Sequence, residues 1–189
     1  SYIAWDFVEL PSQIMEHWAT QPELMRDYAR HYQTGEPIPQ ALIDKIGNSK
    51  YFNQGFSNVE ILAASLLDMA FYTLEAPAVI DVQSFEKDYL SQIGLIPEIE
   101  SRYRSTYFLH IIDGYDSGYY SYTWAAVLDN DAFEAFKENG IFDRTTAESF
   151  RRNILEKDGT MDAMQMYVNF RGREPEIEPL LVNRGLIAN

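Results

Sequence analysis

Ser57-Asn58-Val59-Glu60-Ile61-Leu62-Ala63-Ala64-Ser65-Leu66-Leu67-Asp68-Met69-Ala70-Phe71-Tyr72-Thr73-Leu74-Glu75 repeats its apolar side chains at helical intervals. Val59, Leu62, Ala63, Leu66, Leu67, Ala70, Phe71 and Leu74 recur three and four residues apart, the spacing of one buried helical face. Glu60, Asp68 and Glu75 fall away from the centre of that face. The spacing predicts a long core helix over 57–75, and the class follows from it: mainly α.

Working outward, the same signals recur. Ala41, Leu42, Ile43 and Ile46 predict a helix after Pro39, Phe85 to Ile93 a second, and Trp124 to Phe136 a third. Thr20 with Glu23, Ser57 with Glu60, and Thr145 with Glu148 have the capping-box spacing, in which a hydroxyl accepts from an early amide and a Glu reaches back. They are expected to open helices. Gly35-Glu36-Pro37 and Asn139-Gly140 punctuate. Phe170-Arg171-Gly172-Arg173-Glu174-Pro175 reads as a turn between a short helix and a last one around Glu176 to Leu181. No alternating strand pattern, repeat or linker interrupts the series, so residues 1–189 are expected to form one helical domain.

Bulk chemistry narrows the partners. With 29 acidic and 15 basic residues the chain carries −14, a field that repels a phosphate backbone. Arg102 with Arg104, and Arg151 with Arg152, are flanked by acids and read as solvated helix faces, so nucleic acid is not an expected partner. Cysteine is absent, which removes disulfides and thiolate chemistry. No apolar run approaches the roughly eighteen residues that a membrane span needs, so no membrane partner is expected either. The opening Ser1-Tyr2-Ile3-Ala4-Trp5-Asp6-Phe7-Val8 is more apolar than termini usually are and reads as an internal cut, with Tyr2, Ile3, Trp5 and Phe7 on the cut face.

Two segments carry chemistry-bearing side chains. In Asp6-Phe7-Val8-Glu9-Leu10-Pro11-Ser12-Gln13-Ile14-Met15-Glu16-His17-Trp18, a helix from about residue 6 would align Asp6, Glu9, Gln13 and Glu16 on one stripe. Pro11, which lacks an amide hydrogen, allows a later start near Leu10. Crowded carboxylates fit either a cation site or a solvated, dipole-complementing helix start. Between Leu109 and Trp124, His110, Gly114, Tyr115, Gly118, Tyr119, Tyr120 and Tyr122 combine flexible backbone with phenol and imidazole donors. Such a segment suits a loop closing over a polar ligand, or a plain turn into an aromatic helix.

Together these segments resemble the zinc metallopeptidase family of thimet oligopeptidase, neurolysin, oligopeptidase A and the bacterial peptidyl-dipeptidases. Asp6-Phe7-Val8-Glu9-Leu10-Pro11-Ser12-Gln13 is similar to the block that follows that family's His-Glu-x-x-His helix. His110 with Gly114-Tyr115-Asp116-Ser117-Gly118-Tyr119-Tyr120-Ser121-Tyr122 resembles its substrate loop. Tyr51-Phe52-Asn53-Gln54-Gly55-Phe56 and Phe170 to Pro175 match two further blocks, all four in order.

The resemblance implies the C-terminal half of a zincin-type oligopeptidase catalytic domain, a fragment that works with the missing N-terminal part of its parent. It implies Glu9 as the third zinc ligand. His110, Tyr115 and Tyr122 are implied as catalytic donors to the tetrahedral intermediate, and Gly114, Gly118 and Tyr119 as substrate-binding positions. The implied activity is zinc-dependent hydrolysis of short peptides, endopeptidase or dipeptide-releasing, in a cytoplasmic or periplasmic parent, with the isolated fragment inactive.

Here the chain departs from the full family pattern. The reaction needs two histidines at i and i+4 with a glutamate between them, and His17, His31 and His110 provide no such pair. On a continuous helix His17 stands roughly 12 Å along the axis from Glu9, too far to share one ion; it and His31 read as packing or surface residues. A di-metal carboxylate bundle would want Glu-x-x-His pairs, which are absent. The rival reading is a non-enzymatic α-helical interaction domain, distinguished by whether a His-Glu-x-x-His motif lies upstream.

Overall fold

A computed structural model describes residues 3–75, 79–157 and 159–188. Ser1 and Tyr2, read as part of the cut face, lie outside the described residues. Nine α-helices occur among them and no strand: α1 Leu10–Ala19, α2 Pro22–Tyr28, α3 Gln40–Ser49, α4 Gln54–Tyr72, α5 Val82–Gln92, α6 Ser121–Asn139, α7 Arg144–Phe150, α8 Ala163–Arg171 and α9 Glu178–Asn183. A π-helical turn, Arg151–Leu155, continues α7. No described helix is long and apolar enough to cross a membrane.

The helices form two compact units, residues 1–52 with 125–189 and residues 53–124. In the first, Leu10 and Ile14 of α1 are fully buried beside Leu128, Ala132 and Phe133 of α6 and Met166 and Tyr167 of α8. Phe7, expected on an exposed face, is itself part of this core, and Ile3 packs against it. In the second unit, Ala63 and Leu67 of α4 pack with Leu90 of α5, while Ala64 packs with Phe108, Ile111 and Tyr119.

The long helix forms over 54–72, but its buried face is rotated from the expected one. Val59, Leu62, Leu66 and Leu74 are each more than 40% exposed, whereas Asp68 has no exposure at all. Ala63, Leu67 and Ala70 of the expected stripe are buried, and Asp68 joins them on the inner side, where it accepts backbone hydrogen bonds.

Helix starts also differ from the capping-box expectation. Thr20 ends α1 and precedes α2, Ser57 lies inside the first turn of α4 behind a left-handed Asn53, and Thr145 is already helical. The caps in use are aspartates. Asp81 accepts from Gln83 and Ser84 amides, Asp143 from Thr146, and Asp162 from Gln165. A short carboxylate satisfies the same orphan amides as a hydroxyl and also meets the positive end of the helix dipole.

Two regions read as solvated helix faces resolve differently. Arg102 and Arg104 sit in irregular chain, where they bond Glu60 at 2.9 Å, and Glu86 at 2.9 Å with Glu100 at 2.5 Å. Arg151 and Arg152 are helical and both reach Glu148 at 2.6 Å.

The turn Phe170 to Pro175 is fastened by charge. Gly172 caps α8 at φ 80°, a conformation that glycine enters without strain. Arg173 then bonds the fully buried Asp131 of α6 at 2.6 Å, and the Tyr167 hydroxyl donates to the same carboxylate at 2.5 Å.

Candidate active site

α1 starts late, as Pro11 allows: Glu9 is its N-cap residue, and Asp6 lies in the preceding turn. Asp6 therefore lies outside the helix, whereas Glu9 opens it with helical backbone, followed by Gln13 and Glu16 four and seven residues on. The half-buried Glu9 carboxylate accepts the Ser12 hydroxyl at 2.6 Å, and its carbonyl accepts the Gln13 amide at 2.9 Å. One turn from the far end of α1, His17 Nε2 lies 2.6 Å from buried Asp129 on α6, and its ring stacks on Phe133 at 4.8 Å. His17 is thus a packing residue with an acidic partner. His31 stacks on Tyr32 and accepts from two turn amides.

In the second unit the chain from Leu109 to Tyr122 folds into successive turns. The Tyr115 amide donates to His110 O at 2.8 Å, the Gly118 amide to Tyr115 O at 3.0 Å, and the Ser121 amide to Gly118 O at 3.0 Å. Gly114 has φ 103°, so this turn needs glycine. Gly118 does not stand in the left-handed region; the residue that does is Ser117, at φ 53°.

These turns bring the expected aromatic residues together. The His110 ring centroid is 6.0 Å from Tyr115, 5.3 Å from Tyr119 and 6.1 Å from Tyr122. Tyr115 and Tyr122 stack at 5.0 Å with 21° between ring planes. Tyr119 lies beneath, 3% exposed, edge-on to Phe108 at 4.9 Å. Burial pushes its hydroxyl up to about 12, against the opposing pull of a hydrogen bond from Arg102.

Three contributors escape a sequence reading. Tyr103 stacks on Phe108 at 4.9 Å and flanks His110 at 5.2 Å; Arg102 holds Tyr119 and Glu60. Asp68 is the third. Its carboxylate accepts from the Ser117 and Tyr119 amides, each at 3.0 Å. Burial raises its pKa despite those bonds, and the nearby charge of Asp116 adds to the shift. The one sequence signal was an acid placed inside an apolar helix, which reads equally as a solvated position.

The arrangement offers an imidazole and two stacked phenols as hydrogen-bond donors over an aromatic floor, a set suited to a polarised carbonyl. It does not offer a metal site. Among the described residues no group of three or more His, Cys, Asp or Glu could hold a metal ion, and a catalytic zinc takes three protein ligands. The residues described here therefore do not by themselves fit that ion.

Comparison with known proteins identifies the class. The model of Peptidase family M3 matches residues 2–186, and the chain belongs to that family. It is 44% identical over 184 residues to dipeptidyl carboxypeptidase of Escherichia coli, covering 96% of this chain and 27% of that protein. It is 38% identical over 190 residues to oligopeptidase A of Salmonella typhimurium, covering 98% and 28%. To saccharolysin of Saccharomyces cerevisiae it is 30% identical over 188 residues, covering 97% and 26%. The chain thus spans about a quarter of the length of these relatives. Proteins of this family are in general zinc metallopeptidases, and membership does not favour the non-enzymatic reading.

Proposed function

We propose that this chain supplies the substrate-facing loop of a zinc peptidase that hydrolyses short peptides, and that His110, Tyr115 and Tyr122 donate hydrogen bonds to the peptide carbonyl under attack. The observation that supports this most is the convergence of those three side chains, with centroids 5.0 to 6.1 Å apart, in a member of a peptidase family. Negative charge grows on that carbonyl oxygen as a water adds to the carbon. Donors fixed beforehand stabilise the charge without reorganising.

In this reading Gly114 and Gly118 give the loop backbone close access to the peptide. Tyr119, bonded to Arg102 and packed beneath His110, supports the donors from below. Glu9 is the one zinc ligand this chain contributes, the others coming from outside these residues. The parent is proposed to act in the cytoplasm, which cell fractionation would check.

The test is Tyr122→Phe in the longer protein. Loss of a donor to the developing oxyanion should raise the barrier by on the order of 2 to 4 kcal/mol, in kcat more than in KM. An unchanged kcat would remove Tyr122 from the mechanism. For this chain alone, calorimetry should find no tight zinc; tight stoichiometric binding lost in Glu9→Ala would contradict a shared site.

A further inference from the structure

The donors just described sit on turns, and turns hold an orientation when something rigid holds their backbone. The backbone hydrogen bonds within the loop join residues a few positions apart and tighten it locally. Side chains of α4 tie it to the helix: the Tyr72 hydroxyl holds Ile111 O at its start, and Asp68 holds the backbone between the two tyrosines. Asp68 projects from α4 four residues before the helix ends at Tyr72, is fully buried, and reaches two amides on alternate residues, Ser117 with Oδ1 and Tyr119 with Oδ2. The Gly118 amide between them faces the same carboxylate. Successive amides turned toward one anion require an unusual backbone, which is what Ser117 supplies at φ 53°. L side chains other than asparagine and aspartate enter that region rarely, and such residues persist where the surroundings impose them.

We propose that Asp68 is a positioning residue for the tyrosine loop, its carboxylate imposing the Ser117 backbone and so holding Tyr115 stacked on Tyr122. The inference rests on the reading that these tyrosines meet the peptide, but its core, that a buried carboxylate sets the ring geometry, stands or falls by itself. A carboxylate is required because both oxygens accept; an amide side chain would turn hydrogen-bond donors toward one of the two backbone amides. The groups facing Asp68 are Asp116 on the loop and Tyr72 on α4, whose hydroxyl donates to Ile111 O. Asp116 carries the same charge, and burial already favours the neutral form. Burial and Asp116 raise the Asp68 pKa above its ordinary value, while the Tyr119, Ser117 and Gly118 amides pull it back down; it is this hold of the amides on the anion, separate from the burial that raises the pKa, that protonation weakens.

The experiment is nuclear magnetic resonance on the isotopically labelled chain. The Asp68 carboxyl carbon, the Ser117 and Tyr119 amides and the Tyr115–Tyr122 ring contact are followed through pH, in the wild type and in Asp68→Asn. The two amides and the ring contact should change together at the midpoint of the Asp68 carboxyl. In Asp68→Asn that step should vanish, the ring contact should be lost, and both amides should exchange at least about tenfold faster, as local opening becomes easier. Asp116→Asn should move the midpoint down and keep the ring contact. A ring contact that persists while the wild-type carboxyl titrates overturns the proposal, and needs no variant to fold. A short peptide containing one phenylalanine, titrated into the wild type, separates the two readings. Shifts at the Tyr115 and Tyr122 rings support the proposed function; unmoved rings count against that function and leave the Asp68 result to be judged by its own titration.

Discussion

Asp131 and Asp68 are both carboxylates without solvent exposure, each on a nineteen-residue helix, and each fastens a segment that carries part of the family resemblance. They do so by opposite means. Asp131 is met by Arg173 at 2.6 Å, the Tyr167 hydroxyl at 2.5 Å and Arg171 at 3.6 Å; Asp68 is met by backbone amides and sits beside a second acid. Two arginines make the Asp131 turn a permanent joint, since breaking one contact leaves other charges buried. Amides hold Asp68 without a buried countercharge, which makes its loop the easier of the two segments to open, as the proposed function would ask of a part that meets substrate.

The largest expected effect comes from breaking the permanent joint. Asp131→Ala removes the carboxylate that Arg173 bonds at 2.6 Å and the Tyr167 hydroxyl at 2.5 Å, while Arg171, 9% exposed, keeps Glu138 at 2.9 Å; it should cost about 3 kcal/mol in urea unfolding, the low end for a broken buried pair. Asp68→Ala strands amides rather than charges and should cost about 1 to 3 kcal/mol. Its damage should stay in residues 110–122, read by hydrogen exchange. Equal losses in the two variants would mean that charge does not distinguish the two joints.

That contrast was only partly visible in the sequence. Apolar spacing revealed the long helix, because burial follows the 3.6-residue period, and Gly172 marked its turn. What spacing could not reveal was which polar group the helix would turn inward. Asp68 finds its partners 49 and 51 positions away, and His17 finds Asp129 at a separation of 112; no local window contains such pairs. The helix starts differ for a simpler reason: Asp81, Asp143 and Asp162 cap where no hydroxyl-and-glutamate pair is needed, and α2 and α4, near the pairs at Thr20 and Ser57, start from Gln21 and Asn53 without a side-chain cap. Of the candidate site, the donors and Gly114 were legible as residue types, and the family blocks gave their order. Their support by Tyr103, Arg102 and Asp68 was not.

A sharper form of the comparison lies within the second unit, between Asp68 and Glu86. Burial raises Glu86 as well, but a hydrogen bond from Arg104 and two from Ser105 outweigh it and leave its pKa below the ordinary 4.5. A depressed acid contributes stability that is present above its unfolded value and lost as pH falls through the folded one. Asp68 stands above its ordinary 3.8, so its contribution has the opposite sign: full below the unfolded value and lost as pH rises through the folded one. Arg104→Ala should therefore remove stability near neutral pH and flatten the loss on acidification. Asp68→Asn should remove the decline that follows as pH rises above the ordinary carboxylate range. Denaturant midpoints across pH would read both slopes, and slopes of the same sign would refute the distinction.

The smallest effect, and the finest probe of the loop, is Ser117→Gly. At φ 53° the serine occupies a region that costs an L side chain about 1 to 2 kcal/mol, and glycine would relieve it. Against this, glycine loses more backbone freedom on folding, roughly 0.5 to 1 kcal/mol, so the net change in stability should be within about 1 kcal/mol of zero. The dynamics should change more than the stability. If Asp68 imposes the conformation on a reluctant serine, a willing glycine needs less imposing, and the Tyr115–Tyr122 contact should survive Asp68 protonation better in Ser117→Gly than in the wild type. If the contact is instead lost at the same pH in both, the serine backbone stores no opposition and the hold of Asp68 on the rings runs through the Tyr119 amide alone.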